Sequence, residues 1–258
     1  MSETALITGA SSGLGKEFAR YHASKGGDVI LTARREVELN ELKAELETAN
    51  NITAHVIALD LGADGGADAL CKAVDEAQLQ VDILINNAGF GGQGAHVERD
   101  LVAEQAMIDL NVKSLVTLTH HFGGKMAQRG MGRILNVGST AGFMPGPMQA
   151  IYFATKAFVN SFSQAVDQEL RSKGVTCTVL APGYVKTEFA QVANLEGTDL
   201  VKGGGATAAS AAQCGYDAMM KGRLVVINER MLTFMMNWVL PLLPRRMMLK
   251  MVQKMQTR

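Results

Sequence analysis

Apolar residues along this chain follow two alternating patterns. Short runs rich in Val, Ile, Leu and Thr alternate with longer stretches where apolar residues recur every three or four positions, as on a helix with one buried face. The short runs predict strands at residues 4–8, 29–33, 53–59, 81–85, 133–137, 175–180 and 223–227. The longer stretches predict helices at residues 14–25, 36–49, 101–128 and 207–221, a polar helix ending near 78, and a helix through 152 and 156 to about 172. Such regular alternation predicts an α/β fold: a single domain with a doubly wound parallel sheet and helices on both faces.

Two segments do not follow this alternation. Residues 188–208 are rich in Gly, Ala and polar side chains, which predicts a mobile segment over a ligand site. After Glu229 the alternation stops, so we expect a domain over residues 1–228 and an apolar, basic helical tail over 229–258. Seven of the 15 methionines lie between Met231 and Met255, interleaved with basic residues. Three interpretations of the tail stay open: a cover over a ligand cleft, a contact with another subunit, or a basic amphipathic helix on a membrane surface.

A glycine-rich turn follows the first predicted strand. Gly9, Gly13 and Gly15 are spaced Gly-x3-Gly-x-Gly and lead directly into a predicted helix. Glycines at a strand-to-helix turn let the backbone approach a pyrophosphate, which sits at the helix N-terminus. The spacing differs from Gly-x-Gly-x2-Gly, the commoner dinucleotide fingerprint, so the turn alone is a weak signal. Its place at the first strand-to-helix junction favours dinucleotide binding over a purely structural turn.

The ends of other predicted elements carry polar residues, each with two interpretations. Arg34 and Arg35 end the second strand, where NAD-binding proteins often place an acid for the ribose hydroxyls. Two arginines there favour a 2′-phosphate, and the alternative is a solvated helix start. Asp60, after the third strand, is placed either to reach an adenine amino group or to cap a helix. Asn111, in an otherwise apolar helical stretch, is either a site residue or a satisfied core amide.

Candidate proton-transfer chemistry lies between residues 139 and 156, where the sequence reads Ser-x12-Tyr-x3-Lys. Tyr152 and Lys156 are four residues apart, so on a helix they share one face. The ammonium of Lys156 favours the phenolate, and against desolvation we expect it to lower the pKa of Tyr152 by roughly 2–3 units. Such a tyrosine exchanges a proton with a carbonyl or alcohol oxygen that the Ser139 hydroxyl holds.

Composition narrows the classes of function. Basic and acidic residues balance at 25 each, so no global positive field favours nucleic-acid binding. The three cysteines and five histidines show no metal-ligand spacing, so we expect no metal site and reduced thiols in a cytoplasmic protein. No secretory signal pattern opens the chain, and the longest apolar tract, residues 234–243, is too short to span a bilayer.

Taken together, the ordered motifs resemble those of the short-chain dehydrogenase/reductase family. The likeness covers residues 4 to about 228 and rests on Thr8-Gly9-x3-Gly13-x-Gly15, Asn86-Asn87-Ala88-Gly89, Asn111, Ser139, Tyr152-x3-Lys156 and Pro182-Gly183. The resemblance implies a Rossmann-type fold. It also implies NADP as the cofactor, because Arg34 falls on the position that selects NADP in this family. We expect a homodimer or homotetramer.

The resemblance also assigns roles residue by residue. Tyr152 is the catalytic acid/base and Ser139 positions the substrate oxygen. Lys156 lowers the pKa of the tyrosine and binds the nicotinamide ribose, while Asn111 holds a water in the proton relay. The remaining positions contact the pyrophosphate, the adenosine and the nicotinamide carboxamide: Gly9, Ser11, Gly13, Leu14, Gly15, Arg34, Arg35, Asp60, Asn87, Pro182, Gly183, Val185 and Thr187.

These residues imply an NADP-dependent oxidoreductase that interconverts a mainly apolar ketone or aldehyde and its alcohol. We expect the substrate pocket to be lined by Phe90, Phe143, Met144, Gln149 and Tyr184. The tail after Glu229 carries no shared family motif and is similar to one branch of small reductases with broad substrates, which leaves the substrate open. The alternative function is that of a sensor or scaffold that keeps the fold and binds NADP without turnover.

Overall fold

The structure, a computed structural model, describes residues 2–257. Its strands are β1 (Thr4–Thr8), β2 (Asp28–Ala33), β3 (Ala54–Ala58), β4 (Ile83–Asn86), β5 (Gly132–Val137), β6 (Val175–Leu180), β7 (Val185–Lys186), β8 (Ala206–Thr207) and β9 (Val225–Val226). Its α-helices are α1 (Gly13–Ala23), α2 (Glu36–Asn50), α3 (Gly66–Glu76), α4 (Leu101–Ile108), α5 (Leu115–Arg129), α6 (Ala150–Leu170), α7 (Phe189–Val192), α8 (Asp199–Lys202), α9 (Ala208–Met220), α10 (Arg230–Phe234) and α11 (Arg245–Gln256).

The central sheet contains seven parallel strands in the order β3-β2-β1-β4-β5-β6-β9. The chain builds outward from β1 in one direction and from β4 in the other. The order therefore reverses between these two strands, and doubly wound sheets bind ligands at the carboxyl ends of the strands beside such a switch point. The predicted Rossmann-type fold is confirmed.

Alternation along β1 shows how the sheet separates two cores. Ala5 and Ile7 point to the face covered by α1, α2 and α9, where Phe18 and Leu42 are fully buried. Leu6 points to the opposite face, which α3 and α5 cover. Because both faces of a parallel sheet are covered by crossover helices, its strands are apolar on both sides, which is why the short apolar runs predicted them.

The structure divides one predicted helix and adds detail to one predicted segment. The helix expected over 101–128 is interrupted by a π-helical turn, Asp109–Ser114, which separates α4 from α5. The segment at 188–208, predicted to lie over the site, contains α7 and α8, and the preceding β7 pairs with β8 near its end. A small core of Ala190, Ala193 and Leu195 stabilises it.

The tail packs back onto the body of the domain. After α10 it continues as a π-helical turn (Met235–Val239), a 3-10 turn (Leu240–Leu242) and α11. Its buried residues Met236, Leu240, Met248 and Val252 form one cluster with Ala141 and Phe153, which flank the predicted chemistry. Within residues 2–257 no helix has the length and apolar character needed to cross a membrane.

Candidate active site

A cavity of about 800 Å³ lies at the carboxyl ends of the strands. We call its two regions the turn half, formed by the glycine turn and the ends of β2 and β3, and the tail half, formed by the tail and by residues 189–200. The predicted site residues that line the cavity are Gly9, Ser11, Gly13, Leu14, Arg34, Arg35, Asp60, Asn87, Ser139, Tyr152, Lys156, Pro182, Gly183, Val185 and Thr187. Gly15 and Asn111 lie outside this lining.

The glycine turn is folded too tightly for larger residues. Gly9 and Gly13 have φ angles of +67° and +53°, which L side chains rarely adopt. A Cβ atom on Gly15 would lie 2.2 Å from the carbonyl oxygen of Gly9. Gly15 therefore packs against Gly9 outside the cavity lining. Gly9 and Gly13 line the cavity with backbone atoms.

The N-terminus of α1 forms part of that wall. Ser12 is the N-cap residue, yet within residues 2–257 its side chain makes no capping hydrogen bond, and the first turn holds no acidic residue. The N–H groups of this turn have no intrahelical acceptor, and the helix dipole adds a positive potential. This arrangement fits a pyrophosphate.

Asn87 joins the glycine turn to the end of β4. Its Nδ2 donates to the carbonyl oxygen of Thr8 at 2.8 Å. Its backbone N–H donates to the Thr8 hydroxyl at 2.9 Å, as does the backbone N–H of Ala88. These bonds fix the ends of β1 and β4 together at the switch point.

Arg34 and Arg35 differ in their partners. Arg34 is exposed on the cavity wall and, within residues 2–257, forms neither an ion pair nor a side-chain hydrogen bond. Arg35 donates from Nε to the Ser11 hydroxyl at 3.2 Å, and its Nη2 lies 3.1 Å from Oε2 of Glu188. Arg34 is thus a free cation beside the turn, whereas Arg35 links the turn to the segment that follows β7.

Asp60 and Thr187 both line the cavity. Asp60 lines the cavity and accepts from the backbone N–H of Gly62 at 2.9 Å. The alternative of a helix cap is wrong, because Gly65 is the N-cap of α3. Thr187 faces the glycine turn, since a Cβ atom on Gly13 would lie 3.2 Å from its methyl group.

Ser139, Tyr152 and Lys156 converge where the two halves of the cavity meet. Ser139 follows β5, and its Oγ accepts from the backbone N–H of Ala141 at 3.0 Å. Tyr152 and Lys156 lie one turn apart near the start of α6. The Nζ of Lys156 donates to the carbonyl oxygen of Val137 at 2.7 Å and lies 5.8 Å from the centroid of the Tyr152 ring.

Burial controls the protonation of both groups. It raises the pKa of Tyr152 to about 12, with a smaller opposing effect from the Ser139 hydroxyl. It lowers the pKa of Lys156 to about 8. The pKa of Tyr152 is therefore raised rather than lowered as predicted, because the loss of solvation on burial dominates. At neutral pH the tyrosine is a neutral phenol and the lysine is mostly an ammonium.

Asn111 lies in the π-helical turn with its side-chain amide satisfied. Its Oδ1 accepts from the backbone N–H of Phe90 at 3.1 Å, and its Nδ2 donates to the Phe90 carbonyl oxygen at 2.9 Å. A third bond joins Nδ2 to the Thr155 hydroxyl at 3.2 Å. The side chain thus positions the chain after β4 against α6. The relay water predicted at Asn111 remains a proposal. Because the side-chain amide is already bonded, the backbone of the π-helical turn would have to hold that water.

The wall of the tail half is largely apolar. Of the predicted pocket residues, Phe90, Met144, Gln149 and Tyr184 line the cavity. Phe143 does not, because it packs against the tail cluster instead. Sequence reasoning missed the individual tail residues that complete the wall: Leu232, Met235, Met236, Val239, Leu240, Leu243, Met251, Val252, Met255 and Gln256. The methionine-rich composition of residues 231–255 pointed to the tail as a candidate part of the site. The position of the tail agrees with the interpretation that it covers a ligand cleft.

Gln256 anchors the end of the tail inside the cavity wall. Its Oε1 accepts from Nε2 of Gln149, which lies three residues before Tyr152, and its carbonyl oxygen accepts from Nε2 of Gln93 at 2.9 Å. Gln149 and Gln256 are buried, and the Oε1 of Gln149 has no donor among the described residues. That oxygen is an acceptor at the boundary of the tail half.

Comparisons with known proteins agree with this geometry. A model of the short chain dehydrogenase family matches residues 3–197. Sulfoacetaldehyde reductase 2 of Chromohalobacter salexigens is 39% identical over 213 residues, which cover 81% of this chain and 80% of that protein. The chain is similar to two solved structures. A short-chain dehydrogenase from Sphingobium yanoikuyae in complex with NADPH has a TM-score of 0.84 at 30% identity, covering 90% of each chain. A bulky-bulky ketone specific alcohol dehydrogenase from Comamonas testosteroni has a TM-score of 0.77 at 30% identity, covering 88% of this chain and 86% of that one.

The match extends over most of the chain and includes the glycine turn, Ser139, Tyr152 and Lys156. Named reductases and dehydrogenases are among the relatives. The protein is therefore an oxidoreductase acting on a CH–OH group, and the chain belongs to the short-chain dehydrogenase family.

Proposed function

We propose that this protein is an NADP-dependent carbonyl reductase that interconverts a mainly apolar ketone or aldehyde and its alcohol. The observation that carries the proposal is the position of Ser139, Tyr152 and Lys156 between a turn half suited to a dinucleotide and an apolar tail half. A bound nicotinamide supplies or accepts the hydride, and the residues of this chain provide the binding, the orientation and the proton.

Arg34 supports NADP over NAD. It is an unpaired cation on the cavity wall, at the place where an NAD site usually holds an acid. A similar structure, the Sphingobium dehydrogenase, contains NADPH. The guanidinium of Arg34 would bind the 2′-phosphate by charge-assisted hydrogen bonds, while the bare turn and the N-terminus of α1 hold the pyrophosphate.

At neutral pH the neutral phenol of Tyr152 is the form that can donate a proton in the direction of reduction. A carbonyl oxygen held by the Ser139 hydroxyl develops negative charge as hydride reaches the carbon, and Tyr152 donates its phenolic proton to that oxygen. An alkoxide is about as basic as hydroxide and is therefore a much stronger base than a phenolate. Transfer from a phenol with a pKa of about 12 is therefore favourable. The Lys156 ammonium offers its remaining N–H groups to the ribose hydroxyls.

The charges of the wall indicate the substrate class. Among residues 2–257, the cations that line the cavity are Arg34, Arg35 and Lys156, and none belongs to the tail half. An anionic substrate would find no cationic partner there, although two relatives are named for sulfoacetaldehyde. A bulky apolar ketone, of the kind named for the Comamonas enzyme, fits a wall of methionine, leucine and valine better.

Purified protein tests the proposal with NADPH oxidation followed across a carbonyl panel. The panel pairs bulky apolar ketones with sulfoacetaldehyde, and light scattering in the same buffer tests the expected homodimer or homotetramer. We expect turnover with the apolar ketones and a kcat/KM for sulfoacetaldehyde at least tenfold lower, equivalent to about 1.4 kcal/mol. NADPH binding without oxidation of any substrate would instead favour the sensor or scaffold function. Preference for the sulfonated aldehyde would refute the assigned substrate class.

A further inference from the structure

The tail presents a second apolar face that the cavity does not use. Met231, Phe234, Trp238 and Leu242 are 70%, 57%, 68% and 83% exposed. Their spacing of three and four places them along one side of the helical segment from 230 to 242. The other side of the same segment lines the cavity. Exposed apolar side chains grouped in this way mark an interaction surface.

Helix α11 carries three parallel stripes with different properties. Met248, Val252 and Gln256 are buried against the domain. Arg246, Lys250 and Lys254 have the same spacing, lie on the opposite side of the helix and are exposed. Between these stripes lie Met247, Met251 and Met255, and the last two also line the cavity. A basic outer stripe thus adjoins an apolar stripe at the cavity wall.

Charge is segregated along the chain. Residues 230–258 hold six of the 25 basic residues and none of the 25 acidic residues. Within the part of the tail that the structure describes, none of these cations forms an ion pair. An amphipathic segment with cations on its outer side and an exposed tryptophan has the chemistry of helices that lie on anionic membranes.

We propose that this outer tail face, defined by Met231, Phe234, Trp238, Leu242 and the Arg246–Lys250–Lys254 stripe, docks on an anionic lipid bilayer. The tryptophan and its apolar neighbours enter the interface, and the basic stripe lies against the lipid headgroups. The cavity wall formed by Met251 and Met255 then adjoins the membrane surface. An apolar ketone dissolved in the bilayer reaches the tail half without crossing water.

The charge pattern favours a bilayer over a second copy of the chain. A two-fold symmetric contact places the same surface of each subunit against the other. The outer tail face would then bring two sets of cations together with no acidic residue of the tail to pair with them. Anionic headgroups neutralise the same cations, and each is worth about 1 kcal/mol near such a surface.

Vesicle sedimentation with the full chain tests the proposal and requires no carbonyl substrate. The vesicles are phosphatidylcholine alone, or phosphatidylcholine with about one third phosphatidylglycerol. We expect binding to the anionic vesicles only. The combined variant Arg246→Glu, Lys250→Glu, Lys254→Glu should bind about a hundredfold more weakly. The matched control is Lys72→Glu, Lys173→Glu, Lys221→Glu, which changes the net charge equally at three exposed lysines outside the tail and should retain binding.

A second pair of variants separates the bilayer from a subunit contact. Trp238→Ser with Leu242→Ser should weaken vesicle binding and leave the particle size by light scattering unchanged, because both side chains point away from the cavity and the tail cluster. Three results would overturn the proposal: no binding of the wild type to anionic vesicles, equal loss in the lysine control, or a smaller particle for the serine variant.

Discussion

The turn half and the tail half of the cavity are built from different parts of the chain. In the turn half the glycine turn presents backbone to the cavity, and a side chain on Gly15 would collide with Gly9. In the tail half the wall is made of flexible side chains, such as Met235 and Met251, from a segment without a family motif. Backbone geometry tolerates few substitutions, whereas methionines adapt to the shape of a ligand. One chain can thus keep its cofactor site while its substrate preference changes.

The largest effect is expected at the boundary between the halves. Tyr152→Phe removes the phenolic proton donor and should lower kcat by about 10²–10⁴-fold, as loss of a general acid does. The dissociation constant for NADPH should stay within about twofold, because the ring remains. Stopped-flow single turnovers measure the rate, and fluorescence titration measures the dissociation constant for NADPH.

Tyr184→Phe is the control, since Tyr184 also lines the cavity but lies outside the Ser139–Tyr152–Lys156 group. A Tyr152→Phe variant with a rate within tenfold of the wild type would show that another group donates the proton.

Lys156 connects the halves and should make stability depend on pH. Its pKa is about 8 in the folded chain, below the ordinary 10.5, so between these values the unfolded chain binds more protons. The wild type therefore carries the full cost of burying the ammonium below about pH 8 and gains stability as pH rises towards 10.5. In Lys156→Met this titrating group is absent. The unfolding free energy of the variant minus that of the wild type should therefore fall by roughly 3 kcal/mol as the pH rises from about 8 to about 10.5.

Urea unfolding at about pH 7 and about pH 10 checks this difference. Lys72→Met is the control, because the Lys72 side chain is 75% exposed and should give the same difference at both pH values. A pH-independent difference for Lys156→Met would mean that the lysine is well solvated in the folded protein.

Arg34 tests the turn half alone. Arg34→Asp removes a cation and places a carboxylate near the 2′-phosphate, so the preference for NADPH over NADH should reverse. A charge-assisted hydrogen bond is worth about 1.5–3 kcal/mol, which corresponds to a wild-type preference of roughly ten- to over a hundredfold. The measurement is kcat/KM with both cofactors. Arg35→Ala should have a smaller effect, because Arg35 is already bonded to Ser11 and Glu188. Equal use of both cofactors by the wild type would make Arg34 a surface charge only.

The smallest effect is expected in the tail half. Gln256→Leu removes the acceptor for Gln149 and loosens the end of the tail, so KM for a bulky ketone should rise about fivefold, near the roughly 1 kcal/mol of a neutral hydrogen bond. Affinity for NADPH should not change, since Gln256 lies outside the turn half. Gln253→Leu is an exposed control on the same helix. A matching loss of NADPH affinity would show that the two halves are not independent.

Much of the architecture followed from local patterns. The strands β1, β2 and β6 were predicted within one residue, because parallel strands covered on both faces are continuous apolar runs. The helix over 101–128 was not divided into two, because the π-helical turn contains Asn111, which bonds to Phe90, a residue distant in sequence. No periodicity of apolar residues encodes such a contact.

The candidate site shows the same limit. The glycine turn and the Tyr152–Lys156 pair are short-range motifs, so the sequence located them. The direction of the Tyr152 pKa was wrong because burial is set by the whole fold, whereas the spacing revealed only the neighbouring ammonium. The wall of the tail half was not predicted residue by residue, because the sequence did not determine which side of each tail helix faces the cavity.

The hydrogen bonds of Gln256 also bear on when the site becomes complete. They connect Gln256, in the last turn of α11, to Gln93 and Gln149, which precede it by 163 and 107 positions. Chains emerge from the ribosome with the N-terminal part first. We expect a nascent chain to acquire the residues for nucleotide binding well before those that enclose the substrate. Early NADPH binding could then stabilise the partly synthesised domain by mass action. A premature stop within α11 should leave a protein that retains nucleotide and fails to hold its substrate.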